Sequence, residues 1–102
     1  QFCKVGRLTM VAGSCMVTRD VPPFSIVTGA HPLRWRGTNK IGLQRNGFES
    51  DARDAVRSAL SKLFANEINR DSVAEELAQS DYDSVVEIAQ FVRSSTRGLP
   101  NK

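Results

Sequence analysis

Residues 3–23 read CKVGRLTMVAGSCMVTRDVPP, and the spacing of aliphatic and small residues in this stretch decides the fold. Val5, Val11 and Val17 recur every six residues, and Cys3, Thr9, Cys15 and Val21 recur with the same period at a second phase. Gly6 and Ala12 follow the first two valines. An aliphatic residue, then a small one, then a small or β-branched one four positions after the aliphatic is the hexapeptide pattern of a β-helix. Each hexapeptide makes one short strand, and three faces close a triangular coil with the aliphatic residue inside. A half-buried antiparallel sheet would alternate with period two, and Val5 to Met10 shows no such alternation. About four hexads are visible, little more than one coil, whereas stacked repeats need about three neighbours to bury a continuous core. The expectation is that further coils precede Gln1 or come from another chain.

Asp20-Val21-Pro22-Pro23 is expected to end the coil, because two consecutive prolines remove two backbone donors and fix φ near −65°. Pro32, Gly37 and Gly47 then punctuate a loop-rich passage with one or two extended pieces, residues 24–48. From residue 49 the period becomes helical. Ala52, Val56, Ala59, Leu60, Leu63 and Phe64 share one face of a first helix, capped by Ser50 or Glu49. A second helix is predicted over about 72–79, with Asp71 or Ser72 as N-cap and Val73, Ala74 and Leu77 inward. A third runs from Asp83 to Ser95 on Val85, Ile88, Ala89 and Val92, with Gly98 near its stop. The chain thus divides into the end of a β-helix (1–23), a linker (24–48) and a three-helix domain (49–102).

The 102 residues are 40% hydrophobic and 25% charged with net charge +3, an ordinary composition for a small globular domain. The apolar runs fall far short of the roughly 20 residues that span a bilayer. The chain opens at Gln1 without a charged and apolar leader, which suggests processing or truncation. Cys3 and Cys15 do not make a secreted disulfide framework and are read as reduced, hence an intracellular, cytoplasmic setting. A single histidine, His31, and cysteines without CxxC spacing give no metal site, and no cofactor is expected.

Four stretches resemble a known family: Gln1-Phe2-Cys3-Lys4-Val5-Gly6, Asp20-Val21-Pro22-Pro23-Phe24, residues 39–48 (NKIGLQRNGF), and Arg93-Ser94-Ser95-Thr96-Arg97-Gly98-Leu99. They are similar to the acyl-carrier-protein-dependent UDP-N-acetylglucosamine O-acyltransferases of lipid A synthesis. The resemblance implies a homotrimer of left-handed parallel β-helices that moves a 3-hydroxyacyl group from acyl carrier protein to the 3-hydroxyl of UDP-N-acetylglucosamine. It places the general base, a histidine, on a coil that would precede Gln1, so no residue here is assigned a catalytic role. Asn39 and Arg45 match positions that contact the nucleotide, and Gln1 matches one lining the substrate cleft. Gly13 and His31 match positions along the acyl-chain groove, with Met10 beside it and better explained as core. Gln44 and Asn46 stand where the family usually has basic residues, which leaves phosphate grip to Arg45 with help from Lys40. Around Arg34-Trp35-Arg36 the chain is one residue longer than many relatives.

Two other functions compete. Arg34, Trp35, Arg36, Lys40 and Arg45 could form a nucleic-acid surface with Trp35 stacking on a base, although Glu75, Glu76, Asp81, Asp83 and Glu87 would repel phosphate. A structural or trimerisation module without activity is the other.

Overall fold

The computed structural model describes residues 3–12, 17, 19–29, 33–65 and 68–101. Three strands, β1 (Met10–Val11), β2 (Ser25–Thr28) and β3 (Arg34–Thr38), form one sheet in that order. Four helices follow, α1 (Lys40–Arg45), α2 (Ser50–Ala65), α3 (Arg70–Leu77) and α4 (Asp83–Ser94).

β1 and β2 pair in parallel, Met10 against Ile26 and Val11 against Val27, and Val5 pairs with Val21 in the same sense. Each pair is 16 residues apart in sequence (26 − 10, 27 − 11 and 21 − 5), two fewer than three full hexads. Gly6 N–H to the Val21 carbonyl and Val21 N–H to the Lys4 carbonyl, both 2.8 Å, hold this register. Glycine is required at position 6, since a Cβ would lie 2.3 Å from the backbone nitrogen of Pro23.

The prolines do not end the pairing. Beyond Pro22-Pro23 the chain passes through Phe24, whose φ of 65° turns it sharply, and re-enters the sheet as β2. Val21, Val27 and Leu33 are buried together, six residues apart, with Val17 packed on them. They extend the phase of Cys3, Thr9 and Cys15 through the presumed stop. Val5 and Val11, the phase expected inside, are instead 50% and 38% exposed. β2 then pairs antiparallel with β3 across a bulge at Ile26/Val27, so the linker is largely structured: it holds two strands and α1.

The three helices expected after residue 49 are present. α2 buries Val56, Ala59, Leu60, Leu63 and Phe64, the stripe its period predicts. α3 starts two residues earlier than expected, with Asn69 as N-cap. α4 buries Val85, Ile88, Ala89 and Val92. Phe24 and Trp35 from the sheet side, Leu43 of α1 and Leu99 of the tail join these residues in one core. Trp35 stacks on Phe64 at 4.4 Å with the rings 4° from parallel. Each fully buried aliphatic or aromatic side chain contributes about 1.5–3 kcal/mol over its exposed state, so this stripe fastens the helices to the sheet. None of the helices is long and apolar enough to cross a membrane among the described residues.

Candidate functional site

α1 is six residues long, too short to persist without tertiary support. Its support comes from two asparagines that meet at Gly42. Asn39, the N-cap, accepts the Gly42 N–H on Oδ1 at 3.1 Å, and Asn46 donates from Nδ2 to the Gly42 carbonyl at 2.7 Å. A Cβ at position 42 would lie 2.4 Å from Asn39 Nδ2, so the Asn-x-x-Gly spacing is a steric fit of amide over glycine. Asn39 is buried, and its Nδ2 donates to the Leu8 carbonyl at 2.9 Å. Its backbone N–H donates to the Phe24 carbonyl at 2.7 Å. α1 is therefore moored to the Arg7–Leu8 turn and to the Phe24 corner.

Leu43 turns the buried face of α1 toward the core. Successive helical residues rotate by about 100°, which sets Arg45 on the opposite, solvent side, one turn beyond the exposed Ile41. Arg45 also sits in the last turn, where a cation complements the helix dipole. Among the described residues Arg45 makes no ion pair, so its guanidinium is available to an anion. Lys40 is exposed at the other end of the same helix.

The remaining expected site residues are less well placed. Met10 lies on β1, 48% exposed, which is not the core position expected of it. Gln1, Gly13 and His31 lie outside the described residues, as does Cys15, while Cys3 carries a free thiol. Trp35 is 8% exposed and covered by Phe64, so it offers no face to a nucleobase, and the basic cluster around it loses its stacking platform. Among the described residues no three His, Cys, Asp or Glu side chains converge as a metal site would need. A cleft of about 180 Å³ between α3 and the tail is lined by Arg70, Asp71, Val92, Ser95, Gly98 and Leu99, none of them an expected ligand residue.

Asp20, expected only as part of the run that ends the coil and of a stretch that carries the family resemblance, is fully buried and anchors the tail. Its Oδ1 accepts the Lys4 N–H at 2.7 Å; its Oδ2 accepts the Ser95 hydroxyl at 2.6 Å and the Thr96 and Arg97 N–H groups, each at 3.1 Å. Asp20 N–H in turn donates to the Gly98 carbonyl at 2.8 Å. Burial alone would raise the carboxyl pKa; the hydrogen bonds from Ser95 and from the Lys4, Arg97 and Thr96 amides outweigh it and hold the value below the ordinary 3.8. The only sequence signal was the joint presence of an Asp-Val-Pro-Pro run and a Ser-Thr-Arg-Gly tail.

Comparison with known proteins identifies the family. The sequence profile of UDP-N-acetylglucosamine O-acyltransferase, domain 2, matches residues 20–100, from the buried carboxylate to the end of the tail it holds. An acyl-[acyl-carrier-protein]–UDP-N-acetylglucosamine O-acyltransferase of Aliarcobacter butzleri is 37% identical over 101 residues, 98% of this chain and 38% of that protein. Its counterpart in Synechocystis is 41% identical over 80 residues, 78% of this chain and 29% of that one. Among solved structures, a UDP-N-acetylglucosamine acyltransferase from Campylobacter jejuni superposes with a TM-score of 0.90 at 28% identity, over all of this chain and 40% of that one. One from Bacteroides fragilis gives 0.86 at 31% identity, over 97% and 39%. The chain spans roughly two-fifths or less of these relatives' lengths, and it belongs to the UDP-N-acetylglucosamine O-acyltransferase family, whose domain 2 its residues 20–100 match.

Proposed function

We propose that this chain is the nucleotide-binding, C-terminal part of an acyltransferase that moves a 3-hydroxyacyl group from acyl carrier protein to the 3-hydroxyl of UDP-N-acetylglucosamine, the first step of lipid A synthesis. The observation that carries the proposal is Arg45, exposed and without an ion pair among the described residues, on a helix capped at both ends and moored to the sheet. A guanidinium in that position grips a diphosphate through two parallel N–H donors. The names of the relatives supply the acceptor and the donor.

In this proposal the 16-residue parallel offset and the buried Val21, Val27 and Leu33 belong to the closing coil of a left-handed β-helix. Gln1, Gly13, His31 and Met10 serve the substrate cleft and acyl groove, and the enzyme is a cytoplasmic homotrimer. The general base that takes the proton of the attacking sugar hydroxyl is assigned to coils outside this chain. The exposed Val5, Met10 and Val11 favour a second reading, a trimerisation module without activity.

Calorimetric titration of UDP-N-acetylglucosamine, with the oligomer's mass measured on the same sample, tests the first reading against the second. Saturable binding to the wild type, weakened at least about 30-fold by Arg45→Ala as expected for loss of a charge-assisted bidentate contact, supports it. A folded trimer that binds no nucleotide leaves the structural module.

A further inference from the structure

Charge is distributed unevenly along the chain. Residues 1–48 hold seven Lys and Arg against a single acid, Asp20, whereas residues 49–102 hold seven against ten, local charges of +6 and −3 within the total of +3. The fold concentrates this asymmetry at the end of α4. Arg93 and Arg97 are exposed there. The exposed Lys4 donates from Nζ to the Ser94 carbonyl at 3.1 Å, and the exposed Arg19 donates from a guanidinium nitrogen to the Arg97 carbonyl at 3.0 Å. Asp20 is fully buried beneath them, its carboxylate oxygens taken by the Lys4, Thr96 and Arg97 amides and the Ser95 hydroxyl. Arg70 and Asp71, at the adjoining cleft, carry opposite charges. Among the described residues none of Lys4, Arg19 and Arg93 enters an ion pair. Asp81 and Asp83 lie at the other end of α4, about 18 Å along its axis and beyond the screening length of about 8 Å at physiological salt.

We infer that Lys4, Arg19, Arg93 and Arg97 form a docking surface for an anionic lipid headgroup layer. Lys4 and Arg19 are already held on carbonyls, so little side-chain freedom is left to lose on docking. Each keeps most of its N–H donors for phosphate oxygens. A cation at a helix C-terminus complements the dipole, which accounts for Arg93 and Lys4; it gives no reason for Arg19 and Arg97, which lie off the helix. A nucleic acid is a poorer fit, because the exposed aromatic side chain among the described residues, Tyr82, sits at the far end of α4 and cannot stack on a base held here. A headgroup layer needs neither groove nor register, only density of charge. Each cation close to an anionic leaflet raises partition about fivefold, so four raise it several-hundred-fold. The same surface repels the acidic turn between α3 and α4, so the asymmetry that attracts the molecule also orients it. Lys40 and Arg45 take no part, and the docking surface stands apart from the nucleotide site.

The test is co-sedimentation with vesicles of phosphatidylglycerol and phosphatidylcholine in equal parts, with pure phosphatidylcholine vesicles alongside. The wild-type chain is expected to sediment with the mixed vesicles and not with the neutral ones, and to be released at about 1 M salt, where the screening length falls to about 3 Å. Arg93→Gln is expected to weaken sedimentation about fivefold and Arg93→Glu about 25-fold. Arg57→Glu makes the same change in net charge on the exposed face of α2 and is expected to weaken it less than about threefold. Circular dichroism at 222 nm checks that each variant is folded. Equal losses in Arg57→Glu and Arg93→Glu would trace the attraction to net charge alone, and sedimentation with neutral vesicles would trace it to apolar contact. Duplex DNA held as tightly at equal phosphate concentration would make this a general polyanion surface. Any of these, or a folded wild type that stays in solution with both vesicles, overturns the inference.

Discussion

Gly42 stands where the two capping asparagines meet, and replacing it sets two effects against each other. Alanine in a helix interior gains about 1 kcal/mol over glycine. Its Cβ, however, would sit 2.4 Å from Asn39 Nδ2 and 2.9 Å from Cγ, inside a buried side chain that cannot swing into solvent. Displacing the amide removes a cap worth about 1 kcal/mol and leaves the part-buried Leu8 carbonyl without that donor, at a further 1–3 kcal/mol. The clash wins, so Gly42→Ala is expected to be destabilised by about 1–3 kcal/mol net, read as a lower urea midpoint with an unchanged m-value. That Asn39 is buried could not be seen in the sequence. An asparagine before a short polar helix reads equally well as an exposed amide, and the acceptor that engages its Nδ2 is the Leu8 carbonyl, 31 residues away.

At the scale of elements, legibility followed period. α2 and α4 carry long amphipathic stripes, and the side chains that the 3.6-residue spacing selects are buried, apart from the half-buried Ala52 in the first turn of α2. α1 escaped because six residues with a central glycine and one buried position, Leu43, show no period. The six-residue period also held further than it was followed: Pro22-Pro23 concealed its continuation into Val27 and Leu33. The clamp between Asp20 and the segment after α4 was illegible for another reason, since its donors are mostly backbone amides, which any sequence supplies. Its pH response has a definite sign. The carboxyl pKa is lowered by folding, so the clamp's contribution is fully present above the ordinary carboxylate value and is lost as pH falls through the lower folded value. Asp20→Asn is expected to lose roughly 3 kcal/mol at neutral pH. The gap to wild type should stay constant down to about pH 5 and narrow at more acidic pH. Urea unfolding of both proteins across that range measures it.

Across the whole molecule, sheet and helices share one core, because Phe24 and Trp35 pack directly among the residues of α2 to α4. A linker separating two independent units would not do this. The chain is expected to unfold in a single transition, and it carries its own probe: Trp35 is the one tryptophan in the sequence and lies against Phe64, at the seam. Thermal melts followed by Trp35 fluorescence and by helical circular dichroism at 222 nm should superimpose; a fluorescence change that precedes helix loss would separate sheet from bundle.

The bonds that close the fold join distant parts of the chain: Lys4 to Ser94, 90 residues apart, Arg7 to Glu87, 80 apart, and Asp20 to Ser95, 75 apart. A ribosome delivers these partners in sequence order, at about 5–20 residues per second. The pairing of Val5 with Val21 and the bond from Lys4 N–H to Asp20 Oδ1 can form early, but for several seconds of synthesis Asp20 Oδ2 has only water as its partner. Phe24 likewise waits for the core residues of α2 to α4. The nascent chain therefore passes through a window in which its opening strands are apolar and uncovered, and the arrival of the Ser95–Gly98 segment is the event that shuts it.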